Sequence, residues 1–591
     1  MLGLLAPLLR LRALLSGPRV PLRAALLGVA LCLPTLWGGL SLDDFLIRAK
    51  ARGEQGVPAS SPLDLFTFMR GDAAFTRHMV DHGFVPWFVP ADLKLAFLRP
   101  LSSLTHWLDY RLWPGATWAM HAQNLAWFFA SALLAATLYR RLLAPRWAAG
   151  LAAALFAIDD THGIPIGWLA NRNALLATTF ALAALLAHDR WRRDGWRLGA
   201  LVGPACLLLG LLSAELAIGG AGYLLAYAVV LDPAPRRERA RSLAPYAVAL
   251  VVWRVAYVLA GCGTHGSGAY VDPALDPRAF LAGVPANAVG LVRGLFASPP
   301  AELTPLAPSA YAPALLVFTL ALLGVVAWVF APVVRRDPAT RFFLFGALLA
   351  VVPACATWPS GRTLIVASFG GAAVVARVLV ALAEDDGLPS SRAWRRGAAV
   401  VGWGLVVLHG VVAPVALLVV SNFPALLWWQ VDRLRAQTDV GEGLERKAVI
   451  AVNAPNAFAA YLWALPCDGP RPAPAYAATL SVSVTPVGVT RPDANTLVLS
   501  PGSGFLGEKT AELFRDPAMP MRRGDAYAFD TFSVVVDEVD AAGQPRVATF
   551  RFARPLEDES FLWVAWDGER IGRWTPPAIG GSTVLASGHW P

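Results

Sequence analysis

The sequence predicts a polytopic α-helical membrane protein of about 11 spans, followed by a carboxy-terminal β-rich soluble domain. Three observations carry that reading. The 591 residues are 56% apolar, with a positive mean hydropathy, too apolar for a soluble chain of this length. The apolar residues fall in runs close to the roughly 20 residues that cross a bilayer. Beyond about residue 445 those runs stop and short alternating segments replace them.

The candidate spans, in order, are 22–40, 117–139, 147–158 (short), 170–187, 198–213, 215–231, 242–260, 312–333, 342–358, 363–383 and 397–420. In the first, Arg10, Arg12, Arg19 and Arg23 precede the apolar run 24–40, and no clean small-x-small cleavage site follows, so it reads as an uncleaved span. Arginines mark alternate loops: Arg140, Arg141 and Arg146, then Arg190, Arg192, Arg193 and Arg197, then Arg236, Arg237, Arg239 and Arg241, then Arg335, Arg336 and Arg341, then Arg392, Arg395 and Arg396. The intervening short loops 159–169 and 213–215 contain no Lys or Arg, and 359–362 contains only Arg362. The positive-inside rule places the first set and the amino end in the cytoplasm, and an odd span count then puts the carboxyl end outside. The net charge of +9 lies mostly in these loops and at the amino end, so it does not indicate a nucleic-acid partner.

Residues 1–430 therefore read as one transmembrane domain with two long external loops. Loop 41–116 mixes charge with Trp-rich apolar stretches, as helices lying at a membrane interface do. Loop 261–311 is rich in Gly and Pro and is expected to be irregular. Residues 445–591 form the β-rich domain, with strands expected at "KAVIAVNAP", "TLSVSVTPVGV", "NTLVLS", "FSVVVDEV", "RVATFRF" and "FLWVAW". The five cysteines show no zinc spacing, and a Cys262–Cys467 bridge stays open.

Ionisable residues collect at span ends on the external side: Asp43 and Asp44 ("SLDDFL"), Asp159, Asp160, His162 and Arg172 ("FAIDDTHGIPIGWLANRN"), Glu215 ("LLSAELAIGG") and Arg362 ("PSGRT"). Charges at membrane depth are costly and tend to line polar cavities. The plainer account of either acidic pair is a helix cap that complements the dipole. Asp159, Asp160 and His162 also offer oxygen and imidazole donors suited to Mg, Mn or Zn, so a divalent metal is left open. His78 and His82 ("HMVDH") and His409 read as structural, His409 as a satisfied packing residue. There is no Walker loop or nucleophile elbow, which argues against a soluble nucleotide donor.

"FLRPLSSLTHWLDYRLWPGATWAMHAQNLAWFF" (residues 97–129) resembles the Arg-Pro-Leu segment and second span of GT-C superfamily membrane glycosyltransferases, in particular the bacterial relatives of tetratricopeptide-containing O-mannosyltransferases. In the second external loop of that family, His162, Trp168 and Arg172 match the pattern, while Asp159, Asp160 and Ile164 replace its first His, its Pro and its Glu. Ser213 and Glu215 match its Ser-Lys-Glu segment, and Asp43–Asp44 its acidic pair after span 1. The tetratricopeptide repeats are absent. The resemblance implies transfer of a sugar from a polyprenyl-phosphate donor to a protein or glycan hydroxyl at the periplasmic face of a bacterial inner membrane. Asp43 or Asp44 would be the base, with Asp44 slightly preferred, and Asp159–Asp160 would take over the missing Glu's function, bind a divalent cation or orient His162. Arg99, Arg172 and Arg362 would attend the donor phosphate, with His162, Trp168 and Glu215 in the same cavity. Two other classes remain: a multispan transporter or flippase, and a non-catalytic membrane scaffold binding envelope polymer.

Overall fold

The computed structural model describes residues 10–54, 57–58, 60–385, 387–438, 442–460, 463–464 and 474–588. Cys467, and with it the suggested bridge, lies outside them. Among the described residues seven helices are long and apolar enough to cross a membrane, and four shorter apolar helices, Arg146–Ala157, Gly199–Leu211, Glu215–Val230 and Pro338–Ala354, stand among them. The chain is built as a membrane protein. Helix Thr117–Leu142 carries His121, Gln123 and Asn124 near its start, and His121 and Asn124 are buried. The bundle core is made where Ala and Gly let backbones approach. Helix Ala367–Glu384 sits at its centre, with thirteen buried residues including Phe369, Gly370 and Gly371.

Two expectations need correction. Loop 261–311 is not irregular: Pro277–Phe296 is a 20-residue helix. Asp276 caps it through Ala279 N at 2.9 Å, and Pro277 occupies a first-turn position, where its missing N–H costs nothing. Pro285 and the glycines at 283, 290 and 294 had hidden the helical period. The last predicted span, 397–420, is part of one helical run from Arg392 to Gln437, with a π-turn at Leu408–Val412.

Residues 41–116 do contain helices, at Asp43–Arg52, Ala73–Asp81 and Pro100–Leu112. They also supply strands β1 (Thr67–Arg70) and β2 (Lys94–Ala96), which join β3 (Gly263–His265) from the second long loop in a three-stranded antiparallel sheet. The carboxy-terminal region holds two further sheets. One has six antiparallel strands in the order β13 (Ser582–Leu585), β6 (Val487–Thr490), β7 (Thr496–Pro501), β10 (Pro545–Phe552), β9 (Phe532–Val539) and β8 (Ala526–Ala528). The other has the order β12 (Ile571–Arg573), β11 (Phe561–Trp566), β4 (Ala448–Ala451) and β5 (Tyr476–Thr479), with β11, β4 and β5 parallel. Alternation along β9 and β10 points Val534, Val536, Ala548 and Phe550 inward.

The core of these sheets is continuous with the loops beneath them. Leu40, Phe45, Trp87 and Trp428 belong to the same buried cluster as the strands. Trp87 is the clearest link. Its indole N–H donates to Leu480 O at 2.9 Å, and its ring meets Phe505, Tyr527 and Phe550 edge-on at 5.2, 6.0 and 5.6 Å. Gly83, at φ +75°, lies so close to β5 that a Cβ there would stand 2.9 Å from Ala477 O. Gly268 N donates to Glu512 O at 2.7 Å and Asp516 N to Gly266 O at 2.8 Å, tying the second long loop to the same sheets.

Candidate functional site

The site begins at a tight turn. Asp44 N donates to Ser41 O at 3.0 Å, and between them Leu42 adopts φ 51°, ψ −121°. That is the first central position of a type II′ turn, which favours Gly; a side chain there costs about 1–3 kcal/mol. Asp43 then opens helix Asp43–Arg52.

The two acids separate at once. Asp44 is 1% exposed. Its carboxylate accepts from Ser41 N at 2.9 Å and from Ala170 N at 2.6 Å, and its backbone carbonyl accepts from Tyr110 Oη at 3.1 Å. Burial pushes its carboxyl up to about 7, against the two N–H groups that favour the anion. Asp43 is only partly buried and accepts no hydrogen bond among the described residues. Burial pushes it up to about 6, although the charges of Arg362 and Arg99 both act to lower it. Asp44 is thus a fixed link between two loops, and Asp43 is the carboxylate left available.

The guanidiniums come from three other segments. Arg99 precedes Pro100, the first residue of helix Pro100–Leu112. It donates through Nε and Nη2 to Glu215 Oε2 at 3.0 and 2.8 Å and lies 4.4 Å from the Phe97 ring centre. The other Glu215 oxygen, Oε1, is buried without a hydrogen-bond partner. Arg362, in the turn Gly361–Leu364, donates to Tyr270 Oη at 3.3 Å and lies 5.8 Å from the Trp168 ring centre. Trp168 Nε1 donates in turn to Ser41 O at 3.2 Å. The structure therefore places Asp43, Arg99, Trp168, Glu215 and Arg362 near one another.

The remaining predicted residues lie elsewhere. Arg172 is no rim cation. It is fully buried, donates to Asn124 Oδ1 at 2.6 Å and Met120 O at 3.0 Å, and pairs with Asp109. His162 is fully buried, with Nε2 at 2.7 Å from Phe156 O and its ring against Phe128 and Phe156. Asp159 caps the turn Asp160–His162 by accepting from Thr161 N at 3.0 Å, which is the plainer role. Asp160 is partly exposed and is pushed up to about 7 by burial, by the charge of Asp159 and by Glu302. The three do not converge on a metal position. Among the described residues no group of three His, Cys, Asp or Glu side chains could hold a metal ion, so the residues present do not fit the metal left open by the sequence. His409 is not satisfied either: its Nε2 is buried with no hydrogen-bond partner.

Three neighbours escaped sequence reasoning. Tyr270 and Glu302 sit in the loop read as irregular. Glu302 accepts from Ser360 Oγ at 3.1 Å and from Gly361 N, holding the turn that carries Arg362. Asp109, in "WLDYRL", gave no signal beyond an acid flanked by aromatics.

No family model matches this sequence, and no curated protein matches it. Among solved structures it is similar to the oligosaccharyltransferase of Archaeoglobus fulgidus. One such structure is tethered with an acceptor peptide (11% identity, TM-score 0.38, 76% of this chain and 63% of that one). A second is in complex with an inhibitory peptide and a dolichol-phosphate (12%, 0.36, 75% and 63%). A third is in complex with Zn and sulfate (13%, 0.36, 76% and 61%). The chain thus spans less than two thirds of the length of each neighbour. The functional reading rests on this chain's own geometry.

Proposed function

We propose that the protein is a membrane glycosyltransferase of GT-C type, moving a sugar from a polyprenyl-phosphate donor to an acceptor hydroxyl on a protein or glycan. The observation that carries the reading is the partly buried Asp43 carboxyl, pushed up to about 6 and unbonded, with the charges of Arg362 and Arg99 acting on it. Asp43 takes the proton of the acceptor hydroxyl as that oxygen attacks the anomeric carbon. The bond from that carbon to the phosphate oxygen breaks, and the lipid phosphate leaves with the electron pair. Arg362 and Arg99 stabilise the charge that develops on it, and Trp168 and Glu215 hold those two cations in place. Asp44 supports this arrangement from behind, and Asp160 stands at its edge. The polar groups gather at one end of the bundle, where a transporter would usually place them near mid-membrane. In this reading the chain has eleven spans, a cytoplasmic amino end, and its β sheets on the periplasmic side of a bacterial inner membrane.

The test is an assay of purified protein with a panel of polyprenyl-phosphate sugars, scored for release of lipid phosphate. Asp43→Asn is expected to lower turnover about 10²–10⁴-fold while the protein stays folded, the usual cost of losing a general base. The base must be ionised, so wild-type turnover should rise with pH through about 6 and flatten above it. Near-wild-type turnover of the Asn variant, or a flat profile from pH 5 to 7, would remove Asp43 from the mechanism.

A further inference from the structure

The turn that presents Asp43 holds a non-glycine residue where glycine belongs, and its neighbours show what keeps it there. Leu42 sits at φ 51°, ψ −121°, and left to itself it would return to negative φ. Asp44 opposes that return from both sides of the turn. One carboxylate oxygen takes Ser41 N, the residue before Leu42, and the other takes Ala170 N from the neighbouring loop. Ser41 O is held as well, accepting from both Asp44 N and Trp168 Nε1. The turn is thus bonded on three sides, while the carboxylate of Asp43 is bonded on none.

We infer that Asp44 is a positioning residue: its carboxylate clamps Leu42 in the left-handed region and so aims Asp43 between Arg99 and Arg362. The role rests on the glycosyltransferase reading above. Asn at position 44 offers one acceptor oxygen and one NH₂, so it can satisfy one backbone N–H and must turn a donor towards the other. The turn then relaxes and Asp43 swings off its line. Glycine at position 42 adopts positive φ without a clamp, whereas alanine meets the same steric barrier as leucine. Rescue by glycine but not by alanine is therefore the signature of this device, and a merely structural role for Asp44 would not produce it.

The experiment measures kcat, donor KM and melting temperature for wild type, D43N, D44N, L42G, L42G/D44N and L42A/D44N on matched preparations. D44N is expected to lose kcat about 10-fold to 100-fold, the scale of a misplaced catalytic group, with donor KM within about twofold. L42G/D44N should recover to within about threefold of L42G, and L42A/D44N should stay as slow as D44N. If D44N does not fold, glycine and not alanine at position 42 should restore a folded, active protein. Unchanged kcat in D44N, equal rescue by glycine and alanine, or rescue by neither would overturn the role. D43N inactive beside a fully active D44N would sink the clamp and leave the transferase reading standing. A wild type that transfers no sugar from any donor would end that reading and this role together.

Discussion

Asp43 and Asp44 follow one another in the first turn of a helix, and the 100° step between consecutive residues sends them to different surroundings. Asp44 meets two backbone N–H groups, and Asp43 feels the charges of Arg362 and Arg99. The same logic separates the arginines. Arg172 spends its donors on Asn124, Met120 and Asp109 inside the protein, while Arg362, among the described residues, makes one 3.3 Å bond to Tyr270 and lies over the Trp168 ring. Arg172→Ala leaves Asp109 buried and unpaired, a change that typically costs about 3–5 kcal/mol. The expected outcome is a large fall in melting temperature with turnover per folded molecule little changed. Arg362→Ala should do the opposite, raising donor KM and lowering kcat with the melting temperature nearly unmoved, and Lys should restore it only in part. Equal melting temperatures for the two variants would contradict this division. Position at a span end pointed to Glu215 and Arg362, and the family resemblance added Arg99 and Trp168. Neither was enough to tell a bonded carboxylate from a free one, because that depends on Leu42 φ and on the segment around Ala170. Arg172 was misread because Asp109 and Asn124, which pair with it, belong to helices far away in the chain.

At the scale of elements, an apolar run of span length is legible because lipid tolerates little else. Each predicted span overlaps a helix, although Thr117–Leu142 is not among the seven long apolar helices and Pro277–Phe296 is. The helix Pro277–Phe296 was missed because glycine and proline break the local signal, although the packing of Leu291, Leu295 and Phe296 restores the helix. Strands β7, β9 and β10 were readable from their alternation and β11 from its unbroken apolar run, whereas the parallel pairing of β11, β4 and β5 was not, since pairing is a tertiary choice. Close approach is equally silent in sequence. A Cβ at Gly167 would stand 1.7 Å from Ser421 O, a backbone atom of the long helix that leads to the β sheets. Gly167→Ala must therefore push the segment before Trp168 away from that helix. The expected cost is about 1–3 kcal/mol, the usual range for overpacking, together with slower transfer, because Trp168 supports Arg362. A thermal melt and a transfer assay on the same sample check both. Gly195, which has open space around it and a φ of +71°, serves as the control position, where alanine strains the backbone alone.

At the scale of the whole molecule, the arginine pattern and the position of the β sheets combine into one test. A reporter that works only after export should be active when fused at residue 588 and inactive when inserted at residues 195–198. The reverse result would invert the topology and move the Asp43 site to the cytoplasmic side. The same measurement bears on the two long loops, because the sheet that joins β1, β2 and β3 requires both to lie on one side.

Trp87 is made long before the sheets that receive it: its hydrogen-bond acceptor, Leu480, lies 393 residues further along the chain. During synthesis the helices of residues 10–437 can enter the bilayer while the loops around Trp87 wait with an aromatic face uncovered. Such an early, unpaired surface favours wrong partners. The closing of the β sheets over it is then the last assembly step, and a ribosome that stops before residue 480 releases a chain with its Asp43 loop unsupported. The fold around Trp87 is in that sense completed by the part of the chain made last among the described residues.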